Sequence, residues 1–82
     1  MTIDEVVSLM EARGIEKEQS YQSIEAAKIR LGCESDEDFI YDMKFVVMIV
    51  RGLDYKERTV FVDTLFGRYH ATRMLTMISV MA

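Results

Sequence analysis

Few side chains in this sequence could do chemistry, and their spacing argues against most reactions. Cys33 is the only cysteine and His70 the only histidine. A nucleophilic dyad would need the two to meet across a long separation in the chain, and neither lies in a nucleophile motif. One cysteine permits no internal disulfide, and one cysteine with one histidine cannot build a structural zinc site. The densest acidic run is Glu34-Ser35-Asp36-Glu37-Asp38. It lacks the alternating ligands and the central glycine of a calcium loop. Acids at that position instead suit the first turn of a helix, where they complement the macrodipole. There is no glycine-rich phosphate loop and no patterned pair of carboxylates for acid–base work. The sequence therefore predicts a protein that is not an enzyme and takes no cofactor or metal.

The elements that would position these residues are read from caps and periodicity. The chain has 82 residues, room for a single domain over 1–82, and half of them are hydrophobic. It contains no proline and four glycines, at positions 14, 32, 52 and 67. Each glycine follows a stretch of helical periodicity, where a left-handed C-cap is wanted. Three pairs mark the opposite ends: Thr2 with Glu5, Ser35 with Asp38, and Asp54 with Glu57. The Asp38 pair is the weakest, because its carboxylate is the shortest in reach.

Helices are expected over about 2–13, 17–31, 36–51, 55–66 and 68–81, the last two continuous if Gly67 is tolerated inside a helix. Ile3, Val6, Val7 and Met10 share one face of the first helix. Ile24, Ala27 and Leu31 form a narrow stripe on the second, with Tyr21 at its edge. Phe39, Ile40, Met43, Val46, Val47 and Val50 follow the i, i+3, i+4, i+7 pattern on the third. Phe61, Val62, Leu65 and Phe66 serve the fourth, and Ala71, Met74, Leu75, Met77, Ile78 and Met81 the fifth. The run 45–50 is rich in β-branched residues and could be read as a strand. Its pattern begins at a cap ten residues earlier, and no other segment offers a partner strand. The fold class is all-α: a compact bundle of four to five short helices around a central hydrophobic helix, about 36–51.

Two surfaces are singled out for partners. Tyr41, Phe45, Met48 and Ile49 lie opposite the Phe39–Val50 stripe of the third helix at 100° per residue. A helix apolar nearly all round must be covered nearly all round, by the other helices or by another chain. Met74, Met77 and Met81 edge the last helix, and methionine is common on surfaces that adapt to a partner. That helix carries Arg68, His70 and Arg73 and no acid, which suits a partner protein or an anionic membrane surface. A chain this small with no staple gains from self-association, so a homo-oligomer is expected.

Charge narrows the partner class. Residues 1–42 hold four Lys/Arg against eleven Asp/Glu, and residues 43–82 hold six against three, within an overall −4. An acidic front half opposes phosphate-backbone binding, so nucleic acid is not the expected partner. A helix-turn-helix reading, with Lys56, Arg58 and Thr59 opening a recognition helix, is weakened by Glu57 and Asp63 on the same helix. An acidic mimic of nucleic acid built on residues 34–42 is a further alternative. The N-terminus has no basic, apolar leader, and the longest apolar run falls far short of the roughly 20 residues of a membrane span. A cytoplasmic protein with no transmembrane segment is the expectation.

The chain resembles the rapid-lysis protein III family of T-even-type bacteriophages. The resemblance is carried by overall length, by the opening Met-Thr-Ile-Asp-Glu-Val-Val, and by Lys28-Ile29-Arg30-Leu31-Gly32-Cys33 with Asp38-Phe39-Ile40-Tyr41-Asp42-Met43. These residues are not a functional motif and no site maps onto them. The resemblance implies a cytoplasmic lysis-inhibition factor, an antiholin accessory that binds the cytoplasmic part of a holin, acting in the host cytoplasm without catalysis.

Overall fold

Thr2 sets the first helix in motion. Its backbone is extended and its Oγ1 accepts from the Glu5 N–H at 3.2 Å, satisfying a donor that no helical carbonyl reaches. Helix α1 then runs Ile3–Glu11 and buries Val6, Val7 and Met10. It ends two residues before the expected Arg13 because the chain closes into a Schellman turn. The Gly14 N–H donates to the Glu11 carbonyl and the Ile15 N–H to that of Met10. Ile15, the hydrophobic residue that follows such a turn, is buried. It lies outside any helix, so periodicity gives no sign of it.

Helix α2 covers Lys17–Leu31 and repeats the device at its end: Gly32 sits at φ 73°, and the Cys33 N–H donates to the Lys28 carbonyl at 2.9 Å. Its buried stripe is made of Ser20, Ser23, Ile24 and Ala27. Three of these are small, which lets neighbouring helices approach. The Ser20 hydroxyl donates to the Glu16 carbonyl at 2.9 Å, so its burial leaves no donor unpaired. Helix α3, Asp36–Arg51, starts at Ser35, whose side chain accepts from the Asp38 N–H. Helix α4, Tyr55–Phe66, opens with a full capping box, Asp54 and Glu57 each bonding the other's backbone N–H. Among the described residues there is no strand, and the 45–50 run is helical.

The computed structural model describes residues 1–67 and Ile78. The expected helix 68–81 otherwise lies outside the described residues. Ile78 is helical and buried in the common core. Gly67 takes φ 84° and ψ 173°, a conformation essentially confined to glycine. Helix α4 therefore stops at Phe66 and does not run through the glycine. Gly52 departs from the expected left-handed cap: its φ is −83°. The carbonyls there are satisfied differently, because the Arg58 guanidinium donates to the Leu53 carbonyl at 2.7 Å and to that of Arg51 at 3.3 Å.

The result is an all-α bundle with a radius of gyration of 11.4 Å, close to the roughly 12 Å of a compact chain this long. Helix α2 packs against α1 and α4 and, less extensively, α3. Helix α3 supplies the largest share of the core, Phe39, Met43, Val46, Val47 and Val50, yet it is not enclosed on all sides.

Candidate protein-binding face

Helix α3 turns two apolar faces in opposite directions. Its inner face is fixed by packing: Phe39 and Met43 are at most 1 % exposed. Its outer face carries Tyr41, Phe45, Met48 and Ile49, which are 59 %, 48 %, 65 % and 48 % exposed. The spacing 41, 45, 48 follows the helix seam, so these side chains form one strip and not scattered points. Scattered exposed hydrophobics are ordinary, whereas a contiguous patch marks an interaction surface.

The strip is partly ordered from within. Tyr41 and Phe45 meet edge-to-face with ring centroids 5.5 Å apart, and the Lys44 ammonium sits 5.7 Å from the Tyr41 centroid. Aromatic side chains held this way lose little rotamer freedom when a partner covers them. The four outer-face residues singled out in the sequence are thus brought together on one exposed surface. Met74, Met77 and Met81, and with them Arg68, His70 and Arg73, lie outside the described residues.

The edges of this helix are tied to the bundle by polar contacts. Lys28 Nζ on α2 reaches Asp36 at 2.8 Å and Glu25 at 3.3 Å. Its pKa is raised, by the Asp36 hydrogen bond first and that of Glu25 second. Cys33 Sγ donates to Asp42 Oδ2 at 3.3 Å on the flank of α3. Burial first and this bond second raise its pKa to about 11. The shift favours the neutral thiol over the thiolate, the form that acts as nucleophile. In the surface depression that Asp36 and Glu37 also line, the Tyr21 hydroxyl donates to Asp4 at 3.0 Å, which raises the phenol pKa.

Sequence reasoning did not find an open groove of about 490 Å³ on α4, lined by Leu53, Lys56, Glu57, Val60, Phe61 and Thr64. The one available sign was Val60, an apolar residue off the Phe61–Phe66 stripe, which is 60 % exposed. No group of three or more His, Cys, Asp or Glu residues could hold a metal among the described residues. Nor is any helix there long and apolar enough to cross a membrane.

No family model matches the chain, and no curated protein or solved structure matches it either.

Proposed function

We propose that this is a small non-enzymatic regulatory protein that acts by binding another protein chain, with the outer face of α3 as a contact surface. The observation that carries this reading is the half- to two-thirds-exposed strip of Tyr41, Phe45, Met48 and Ile49 on a helix whose opposite face is core. Leaving that strip in water forgoes burial worth roughly 25 cal/mol for each Å² of apolar surface. The resemblance noted above makes the reading more specific: a cytoplasmic lysis-inhibition factor of the antiholin accessory kind, whose partner is the cytoplasmic part of a holin. Met74, Met77 and Met81 are a second proposed contact, with a peripheral membrane approach compatible with their basic neighbours.

The alternatives draw less support. Arg58, central to a helix-turn-helix reading, spends its guanidinium on the carbonyls at the end of α3 and is not free for a base edge. Within the acidic run, Ser35 caps α3 and Asp36 pairs with Lys28, which are structural duties. The deciding experiment titrates the purified protein with a peptide spanning a T-even holin's cytoplasmic segment, beside a low-salt gel shift with duplex DNA. Saturable peptide binding and no DNA retardation support the reading. DNA retardation that fades steeply with salt transfers it to the nucleic-acid alternatives.

A further inference from the structure

Charge is distributed along the outer face of α3 in a way that selects an occupant. With 100° per residue, Asp38, Tyr41, Phe45, Met48 and Gly52 form the seam of this face, all exposed. Glu37, Lys44 and Arg51 run along one flank, also exposed. On this side of the helix the first turn is acidic, with Glu37 and Asp38, and the last turn is basic, with Arg51. A face that is acidic at one end, apolar in the middle and basic at the other is complementary to itself when reversed.

We infer that the outer face of α3 pairs with the same face of a second copy of this chain, the two helices antiparallel about a twofold axis near Phe45. This rests on the reading of that face as a protein contact and gives it a second occupant, so that self-pairing and the holin segment compete for one surface. In an antiparallel pair, residues on one flank meet the same flank of the other helix, so Glu37 of each copy faces Arg51 of its mate. The same pairing occurs twice by symmetry, as an isologous contact requires. Tyr41 lies opposite Met48, and Phe45 meets its own copy. Asp38 falls opposite Gly52, where there is no side chain to desolvate it. A parallel arrangement would stack Glu37 and Asp38 of both chains at one end and Arg51 of both at the other, and like charges brought together are strongly disfavoured. The antiparallel order also opposes the two helix dipoles. Lys44 is its one like-charge contact, near the axis, and its ammonium is already drawn over the Tyr41 ring.

The test is sedimentation equilibrium of the full chain from micromolar to millimolar concentration, with circular dichroism as the control for folding. Wild type is expected to dimerise, and Phe45→Glu to remain monomeric with its helicity intact. Glu37→Lys and Arg51→Glu should each weaken the dimer by about tenfold or more, while the double exchange Glu37→Lys/Arg51→Glu restores it, because opposite charges again meet across the axis. That rescue does not depend on how the Phe45 variant behaves, since the double carries the local costs of both single variants and can recover only through the contact across the axis. A wild type that stays monomeric at millimolar concentration overturns the self-pairing but leaves the holin-peptide titration free to succeed. A dimer indifferent to Phe45→Glu places self-association on another face and overturns the self-pairing, while the holin-peptide titration still decides the proposed contact. A dimer lost in the single charge variants and not regained in the double overturns the antiparallel order.

Discussion

The two faces of helix α3 carry almost the same chemistry and have opposite fates. Phe39, Met43, Val46, Val47 and Val50 on one side are buried, while Tyr41, Phe45, Met48 and Ile49 on the other stand half or more in water. Both sides are built from aromatic, methionine and β-branched side chains, so residue type does not separate them. What separates them is which side α2 and the rest of the core occupy, a tertiary fact that a one-dimensional pattern does not contain. The inner face is apolar for stability, whereas the outer face is apolar at some cost in solubility, and the proposed contact rests on that difference.

The sharpest way to break this contrast is to truncate one aromatic on each side. Phe39→Ala empties a site that is 0 % exposed and should cost about 3–5 kcal/mol, the range for a buried phenylalanine. Against a total stability of about 5–15 kcal/mol, that leaves the domain marginal or unfolded. Urea unfolding monitored by circular dichroism gives the comparison. A cost below about 1 kcal/mol would mean that the core around Phe39 collapses readily to fill the gap.

Much of the framework that holds these faces was legible in the sequence. The end of α2 and the starts of α3 and α4 fall where glycine and cap signals lie together, because Ser35 and Asp54 accept from backbone N–H groups in the first turn and Gly32 supplies a left-handed turn. Two independent local signals agreeing on one boundary leave little for tertiary packing to override. The departures have equally local causes. Helical periodicity predicts a left-handed Gly52, but Arg58 reaches back from α4 to take the carbonyls, a contact that no cap rule includes. Ile15 escapes a reading based on helical stripes because its burial comes from a turn. The outer strip was visible as a second apolar face, but its exposure was not, since enclosure by the bundle and a vacant interface produce the same residue pattern. The α4 groove left almost no trace, because a groove is a property of spacing between side chains.

The cap that both faces share provides an intermediate perturbation. Ser35→Ala removes the acceptor for the Asp38 N–H and should cost about 1 kcal/mol, by thermal or urea unfolding. Because the cap sits at the start of α3, the loss should lower stability without touching the outer strip. A dimer constant measured well below the melting transition should barely change. Parallel loss of both would mean that the first turn of α3 frays and takes the Glu37 contact with it.

Phe45→Ala is the counterpart of Phe39→Ala and should be the milder change by far. Studied at concentrations where the chain is monomeric, it should shift stability by no more than about 0.5 kcal/mol, the usual range for a surface position. If the outer strip pairs with a second copy, the same variant should also remove the concentration dependence of the melting temperature, since only a species that binds the folded state raises it by mass action. A monomer cost approaching that of Phe39→Ala would mean that the outer strip is core packing after all, and the contrast between the faces would fall.

The smallest effect belongs to the seam between the faces, where Asp42 accepts from the Cys33 thiol. Burial and that hydrogen bond raise the thiol from its ordinary 9.0 to about 11. A raised acid pKa means that folding favours the neutral form. Its contribution to stability is therefore complete below about pH 9 and is lost as pH rises toward about 11. Native protein at neutral pH should react with iodoacetamide much more slowly than the same chain in denaturant. Asp42→Asn removes the carboxylate charge while keeping an acceptor oxygen, so alkylation should quicken modestly and only in the folded state. The larger cause, burial, persists in that variant, and the thiol should still react more slowly than in the unfolded chain. Equal rates in native and unfolded wild type would place Cys33 in water, and α3 would then be open on its flank as well as on its outer face.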